Sequence, residues 1–167
     1  GELKGMEAAM YSLKANDEAD IYAHLDLAYV PPELREDMGE VEAAQNRNLP
    51  QLIDSTNIRG ALHNHTTLSD GEHSLEMMAD TARKMGWSWL GIADHSPSLK
   101  IANGASAEDL LKQVATIREY NAQWEQDGVD FQLFAGVESD ILAGGKLDHP
   151  DDVLAQLDYV VASVHAM

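Results

Sequence analysis

Four short apolar segments follow one another along the last two-thirds of the sequence, and helix-like segments separate them. The apolar segments cover residues 59–64, 88–94, 131–138 and 159–165. Between the first two, Leu75, Met78 and Ala82 lie at the spacing of one helix face. Between the second and third, Leu110 and Val114 belong to a second apolar stripe. Alternating strands and helices are typical of a parallel sheet with helical crossovers, so the sequence predicts an α/β fold.

The same periodicity predicts the third helix and part of the core. A helix is expected at 150–157, where a proline suits the first turn. The core is also expected to contain Trp87, Trp89 and the methionines of the helix at 75–85, Met77 and Met85 among them.

The beginning of the sequence has a different character. Helical spacing from Met6 to Leu13 predicts one helix, and Asn16 or Asp17 can cap a second that runs to Leu25. The prolines at positions 31 and 32 stop any helix there, because proline lacks the amide donor and clashes with the preceding turn. Another short helix is expected at 40–45.

These patterns divide the chain into two parts. Residues 1–57 contain no long apolar strand and are expected to be a short helical connector. Residues 58–167 are expected to form the α/β domain.

The charge of the chain restricts its partners. Eleven Lys and Arg residues face 29 Asp and Glu residues, for a net charge of −18 with neutral histidine. Such a surface repels nucleic acid, whose binding proteins usually carry a basic footprint. Bound divalent cations or a basic partner domain would have to neutralise it locally.

The absence of cysteine and of long apolar runs excludes other classes. Without cysteine, the chain has no disulfide, thiolate zinc site or thiol catalysis, so any metal must be bound by His and carboxylate side chains. No apolar run is long enough to span a bilayer, and no secretory signal is visible. The expected location is therefore cytoplasmic, without membrane contact.

Each predicted strand ends at side chains that can bind a metal. The carboxyl ends of parallel strands meet at one edge of a sheet, where α/β proteins place their functional residues. Side chains two residues apart on a strand share a face, so both imidazoles of the first strand end can reach one ion. A lone His-x-His pair is weak support, but all four strand ends together are not. The candidate ligands are His63, His65, Asp70, His95, Glu138 and His165.

The mixture of ligands indicates the kind of metal site. Nitrogen and oxygen ligands together suit zinc, manganese or iron, and not calcium or magnesium. Six ligands are too many for one tetrahedral zinc ion, so two or more ions are expected. Such clusters activate water and bind phosphoryl oxygens during in-line displacement.

Other polar residues allow ordinary interpretations. We expect His24, His73 and His149 to be surface or structural residues. Asp94 should point away from the face used by the next residue, either orienting an imidazole or serving as an ordinary strand-end carboxylate. Lys100 is either solvated or in contact with a substrate phosphate.

Four motifs resemble those of the polymerase-and-histidinol-phosphatase (PHP) superfamily: HNHTTLSDG, GIADHSPSLKIANG, GVESDIL and LDYVVASVH. More narrowly, ADHSPSLKIANGAS and the upstream PPELREDMGEVEAA resemble the PHP domain and thumb connector of bacterial family X DNA polymerases. The resemblance implies a distorted (β/α)7 barrel with up to three metal ions on the six candidate ligands. The family has His or Asp where this chain has Asp70, and often Tyr where it has His149.

The function implied by this resemblance is that of a metal-dependent phosphoesterase module. It would hydrolyse DNA 3′-end phosphodiesters by metal-activated water, as a 3′–5′ exonuclease or in trimming 3′ ends during repair. Two or three manganese, zinc or iron ions would be the cofactors, and DNA with a 3′ end would be the partner of the full-length protein. Two alternatives remain open: a phosphomonoesterase such as histidinol phosphatase, and a non-catalytic, metal-stabilised scaffold that supports a polymerase.

The sequence is also expected to be a fragment. It begins with Gly1 and stops at Met167, whereas the family pattern continues with a further His and an Asp-x-His pair. Only the N-terminal portion of the barrel is therefore expected here, and the polymerase core should lie outside this chain. The open sheet edge of a partial barrel makes self-association an expectation too.

Overall fold

The computed structural model describes residues 15–165. These residues divide between Ile53 and Asp54 into two compact units. The predicted helix from Met6 to Leu13 lies outside the described residues. Among those described, no helix combines the length and the apolar character that crossing a membrane requires.

The described part of the first unit, residues 15–53, contains two short helices, α1 (Glu18–His24) and α2 (Glu40–Gln45), with a 3-10 turn at Pro32–Leu34 between them. Asp17 caps α1 by accepting a hydrogen bond from the amide of Asp20. The predicted helices and the proline interruption are thus observed, although α1 ends one residue before the expected Leu25.

The second unit is built on a sheet of four parallel strands in the order β1-β2-β3-β4. The predicted α/β class is therefore correct for this unit. The strands are β1 (Gly60–Asn64), β2 (Trp89–Ile92), β3 (Gln132–Asp140) and β4 (Tyr159–Ser163). The helices between them are α3 (Leu75–Lys84), α4 (Ala107–Gln126) and α5 (Asp151–Leu154).

One face of the sheet packs against α3 and α4 to form the main core. Leu133 and Ala135 of β3 are buried among Ala82 of α3 and Ile117 of α4. Asn121 joins this helix face to β3, since its amide donates to the carbonyl of Leu133 and its oxygen accepts from the amide of the same residue. The apolar stripes of the sequence therefore identify this face correctly.

The opposite face is apolar near the beginning of the strands and remains partly uncovered. It presents Leu62, which is 51% exposed, together with Trp89, Phe134 and Tyr159. A Cβ on Gly136 would lie 2.5 Å from Cζ of Tyr159, so glycine is needed where that ring crosses β3. Burial raises the pKa of Tyr159 to about 12, and its hydroxyl donates to a backbone carbonyl of β2.

Parts of the core prediction are wrong. Met77 and Met85 are 55% and 60% exposed. Met77 lies two residues from Leu75, which turns it away from the sheet on a helix, and Met85 lies at the helix end. Trp87 packs against the main core, but Trp89 lies half-buried on the opposite face.

Candidate metal centre

A kink at the end of β1 brings the first two histidines together. His63 has φ of +64°, and the pairing of β1 with β2 shifts register between Ala61 and Asn64. The Asn64 amide donates to the carbonyls of Ala61 and Gly91, which holds this bend. The rings of His63 and His65 have centroids 5.1 Å apart. Their convergence was expected from a regular strand, but the structure achieves it through a bulge with a left-handed residue.

The loop after β1 is organised around the buried carboxylate of Asp94. Its oxygens accept hydrogen bonds from the Thr66 amide and hydroxyl, at 2.7 and 2.8 Å, and from Ser69 Oγ at 2.6 Å. The Gln113 amide of α4 donates to it at 2.8 Å. The sequence left two roles open for Asp94, orienting an imidazole or serving as an ordinary strand-end carboxylate. The structure shows a different role, because Asp94 orders the loop that carries Asp70.

Glu138 lies at the centre of the site, with imidazoles on several sides. It is 5% exposed and projects from β3. Its Oε2 is 2.9 Å from Nε2 of His63, 3.5 Å from Nε2 of His65 and 3.1 Å from Nδ1 of His95. Its Oε1 is 3.2 Å from Nε2 of His165 and accepts from Ser163 Oγ at 2.5 Å.

Asp70 completes the group from the loop after β1. Its carboxylate oxygens lie 3.6 Å from Nδ1 of His65 and 3.6 Å from Nε2 of His95. These two rings therefore stand between Asp70 and Glu138, with their centroids 4.3 Å apart. The structure thus brings all six residues predicted from the strand ends into one cluster.

Sequence reasoning missed Asp140, which lies beside His165. Its Oδ1 is 2.6 Å from Nδ1 of His165, and its Oδ2 accepts from Ser98 Oγ at 2.6 Å. A sequence signal existed, because Asp140 follows Glu138 by two residues and therefore shares its face of β3.

Burial and neighbouring groups shift the pKa values of several residues of the cluster. Burial opposes ionisation of Glu138, but hydrogen bonds from Ser163 and His63 hold its pKa below the ordinary value. Burial lowers the pKa of His65, and the neighbouring imidazole of His95 acts in the same direction. The hydrogen bond with Asp140 raises the pKa of His165. The site therefore favours an ionised Glu138 and an ionised Asp140 near a neutral His65.

The donor set fits divalent cations. Three overlapping groups each place ligand atoms within 4.8 Å of one another: His63, His65, Glu138; His65, Asp70, His95; and His95, Glu138, His165. Nδ1 of His65 and Nδ1 of His95 are buried without a hydrogen-bond partner, although the latter lies 3.1 Å from Glu138. Unsatisfied buried nitrogens beside ionised carboxylates are what a bound cation would satisfy.

The remaining histidines lie apart from the described ligand groups. His24 and His73 are exposed, and His149 is 3% exposed with its Nε2 unsatisfied. Burial lowers the pKa of His149 and so favours its neutral form. These positions agree with the surface or structural roles expected from the sequence.

The fold and the site together define a parallel α/β domain with a histidine–carboxylate cluster at the carboxyl ends of its strands. The family model of the PHP domain matches residues 61–167, and that of the DNA polymerase beta thumb matches residues 4–36. The chain belongs to the PHP domain family. The resemblance seen in the motifs is thereby confirmed.

Two curated relatives are similar to this chain. The DNA polymerase/3′-5′ exonuclease PolX of Bacillus subtilis (strain 168) is 44% identical over 149 residues, which are 89% of this chain and 25% of that protein. A probable phosphatase of Caldicellulosiruptor bescii is 30% identical over 105 residues, 62% of this chain and 40% of that protein. The chain thus spans a quarter of the first relative and two-fifths of the second.

Proposed function

We propose that this chain covers the end of the thumb and the first part of the phosphoesterase domain of a bacterial family X DNA polymerase. Residues 1–57 would be the end of the thumb and its connector, and residues 58–167 the N-terminal portion of a distorted (β/α)7 barrel. The thumb match at residues 4–36, the PHP match at residues 61–167 and the similarity to PolX support this assignment. A cytoplasmic location and self-association stay predictions.

We propose that the six clustered residues bind two or three divalent ions of manganese, zinc or iron. Bound ions would supply Lewis acidity toward phosphate oxygens and lower the pKa of a water molecule. The two oxygens of Glu138 contact different imidazoles, so this carboxylate would hold ions together with His63 on one side and His165 on the other. Asp70 contributes a second carboxylate, on the side of the His65 and His95 rings that faces away from Glu138.

The chain's other residues would hold this arrangement ready for substrate. Asp140 accepts from His165 and so turns its Nε2 toward Glu138. Asp94 holds the loop that carries Asp70. Both carboxylates are fixed by hydrogen bonds, so little reorganisation is needed when a phosphate arrives.

The proposed reaction is hydrolysis of the phosphodiester at a DNA 3′ end. Water oxygen bonds to phosphorus, the bond to the 3′ oxygen of the preceding nucleotide breaks, and that oxygen takes a proton. The terminal nucleotide leaves as a monophosphate. The observation that carries this proposal is the convergence of four imidazoles on the buried carboxylate of Glu138.

The test compares the complete polymerase with its Glu138→Gln variant on a 5′-labelled DNA primer in the presence of Mn²⁺. We expect the variant to shorten the primer at least about 100-fold more slowly, because the shared negative charge is lost. Nucleotide addition should not change. Glu119→Gln, an exposed carboxylate of α4, is the matched control. Equal shortening by the wild type and Glu138→Gln would contradict the proposal.

The second candidate is a small-molecule phosphomonoesterase, which the similarity to the probable phosphatase favours. It would use the same cluster without a DNA strand. Faster hydrolysis of histidinol phosphate than of a DNA 3′ end would select this candidate. A Glu138→Gln variant with lower thermal stability but unchanged hydrolysis of both substrates would select the scaffold alternative instead.

A further inference from the structure

The cationic side chains of the second unit are distributed unevenly between the two ends of the sheet. Arg59 precedes β1, and Arg83 and Lys84 end α3, so all three lie at the end opposite the cluster. Arg118 pairs with Asp158 just before β4, also away from the cluster. The crossover helices run back from the carboxyl ends of the strands, which fixes these placements.

The cations toward the cluster end are Lys100, Lys112 and Lys146. Lys112 is already paired, at 2.8 Å from Glu108 and 3.1 Å from Asp109. Lys100 and Lys146 are exposed, and within residues 15–165 neither forms an ion pair. Among residues 15–165, they are therefore the cations at this end that remain available to a substrate.

Both lysines lie on loops that leave the cluster directly. The first loop, 96–104, follows His95 and carries Lys100 on the 3-10 turn Lys100–Ala102. The second loop, 141–150, follows Asp140 and carries Lys146 on the returning limb of a turn, where the Leu142 amide donates to its carbonyl.

Hydrogen bonds hold the two loops together. The Ser98 amide donates to Oδ2 of Asp148 at 2.6 Å, and the Ser98 hydroxyl donates to Oδ2 of Asp140 at 2.6 Å. At the base of the first loop, the Ala105 amide donates to the carbonyl of His95 at 2.7 Å. The lysines are thus presented from one connected surface, which we call the two-loop surface (residues 96–104 and 141–150).

The charge of the chain makes this surface important for a polyanionic substrate. The net charge is −18, and the cluster end also carries Asp70, Glu138, Asp140 and Asp148. Metal ions would neutralise charge only at the reacting phosphate. The phosphates farther along the strand need cations of their own, because each one next to an acidic surface is repelled.

We propose that Lys100 and Lys146 bind backbone phosphates of the DNA strand that lead into the cluster, and so make the site select a polynucleotide over a small phosphoester. This inference rests on the proposed function. Lysine suits the task, because it is a compact charge on a flexible stem that follows a backbone without reading its sequence.

The test measures kcat/KM of the complete polymerase for shortening a single-stranded 3′ end at several salt concentrations. Each phosphate contact contributes about 0.7 to the slope of log kcat/KM against log salt for single strands. We expect Lys100→Ala and Lys146→Ala each to reduce the slope by that amount, mainly through a higher KM. The double variant should show both reductions. Lys84→Ala, at the opposite end of the unit, is the matched control.

A second substrate separates DNA binding from an effect on the cluster. Bis(p-nitrophenyl) phosphate has a phosphodiester but no neighbouring phosphates, so its hydrolysis should change far less than that of DNA in the double variant. A double variant with the slope of Lys84→Ala would overturn the inference. An equal loss on both substrates would do the same, since the lysines would then act through the cluster. A wild type that cleaves neither substrate would remove the proposed function and this inference with it.

Discussion

Asp140 shows how a single residue outside the predicted ligand set determines the geometry of the site. It is 7% exposed and contacts Nδ1 of His165, so the other ring nitrogen is directed at Glu138. A carboxylate that binds the far nitrogen of a metal-binding histidine fixes its tautomer and its ring orientation. Ser98 occupies the second oxygen of Asp140 and keeps the carboxylate from turning.

We predict that Asp140→Asn lowers the affinity of the purified chain for Mn²⁺ by roughly 10- to 100-fold, because the imidazole loses its charged partner. Isothermal titration calorimetry would measure the change. Asp152→Asn, an exposed carboxylate at the start of α5, should bind Mn²⁺ like the wild type. Unchanged affinity in Asp140→Asn would show that His165 is positioned without it.

At the scale of structural elements, a buried polar network holds the loop between β1 and α3. Asp94 is 0% exposed and accepts four hydrogen bonds, from Thr66, Ser69 and Gln113. Gln113 belongs to α4, so the network joins the loop to a helix as well as to the end of β2. Thr66 and Ser69 of the loop both donate to this one carboxylate, so Asp94 is the acceptor that they share.

We predict that Asp94→Asn destabilises the chain by about 1–3 kcal/mol, since an amide turns two donors toward groups that are themselves donors. Amides 66, 69 and 71 should exchange hydrogen faster. Urea unfolding and hydrogen exchange would measure both effects. Asp130→Asn, an exposed carboxylate before β3, is the control and should leave both quantities unchanged. Equal exchange rates in the two variants would mean that other contacts order the loop.

For the whole molecule, the two ends of the uncovered sheet face have opposite character. Leu62, Trp89 and Phe134 make the face apolar where the strands begin, and the histidine–carboxylate cluster makes it polar where they end. The cluster brings several titratable groups into a small volume. The net charge of −18 adds a general repulsion that bound cations would relieve.

We predict that Mn²⁺ raises the melting temperature of the chain, because an ion that binds only the folded state stabilises it by about 2.7 kcal/mol per site at 100 times its Kd. For a chain of this size the rise should be several degrees. Elemental analysis should find two or more ions per chain. The double variant His63→Ala/His65→Ala should lose both effects, and His73→Ala, which changes an exposed histidine of the same unit, should keep them. If Mn²⁺ did not change the melting temperature of the wild type, the proposal that the cluster binds divalent ions would be contradicted.

Much of this architecture can be read from local patterns. The helical spacing of Leu75, Met78 and Ala82 identifies the packed face of α3. The alternation of strands and helices predicts the parallel sheet, and therefore which end of each strand carries the functional side chains. For the same reason, all six members of the cluster could be named before their positions were known.

Other features depend on contacts between distant parts of the chain. The bend at His63 is held by Asn64 bonding to Gly91, and the central position of Glu138 depends on the register of β3 with β4. The roles of Asp94 and Asp140 depend on partners many residues away. Periodicity is a property of neighbouring residues, so the sequence by itself determines the elements and the strand ends. Only the tertiary structure decides which side chains meet, because hydrogen-bond partners and distances arise when separate strands and loops pack together.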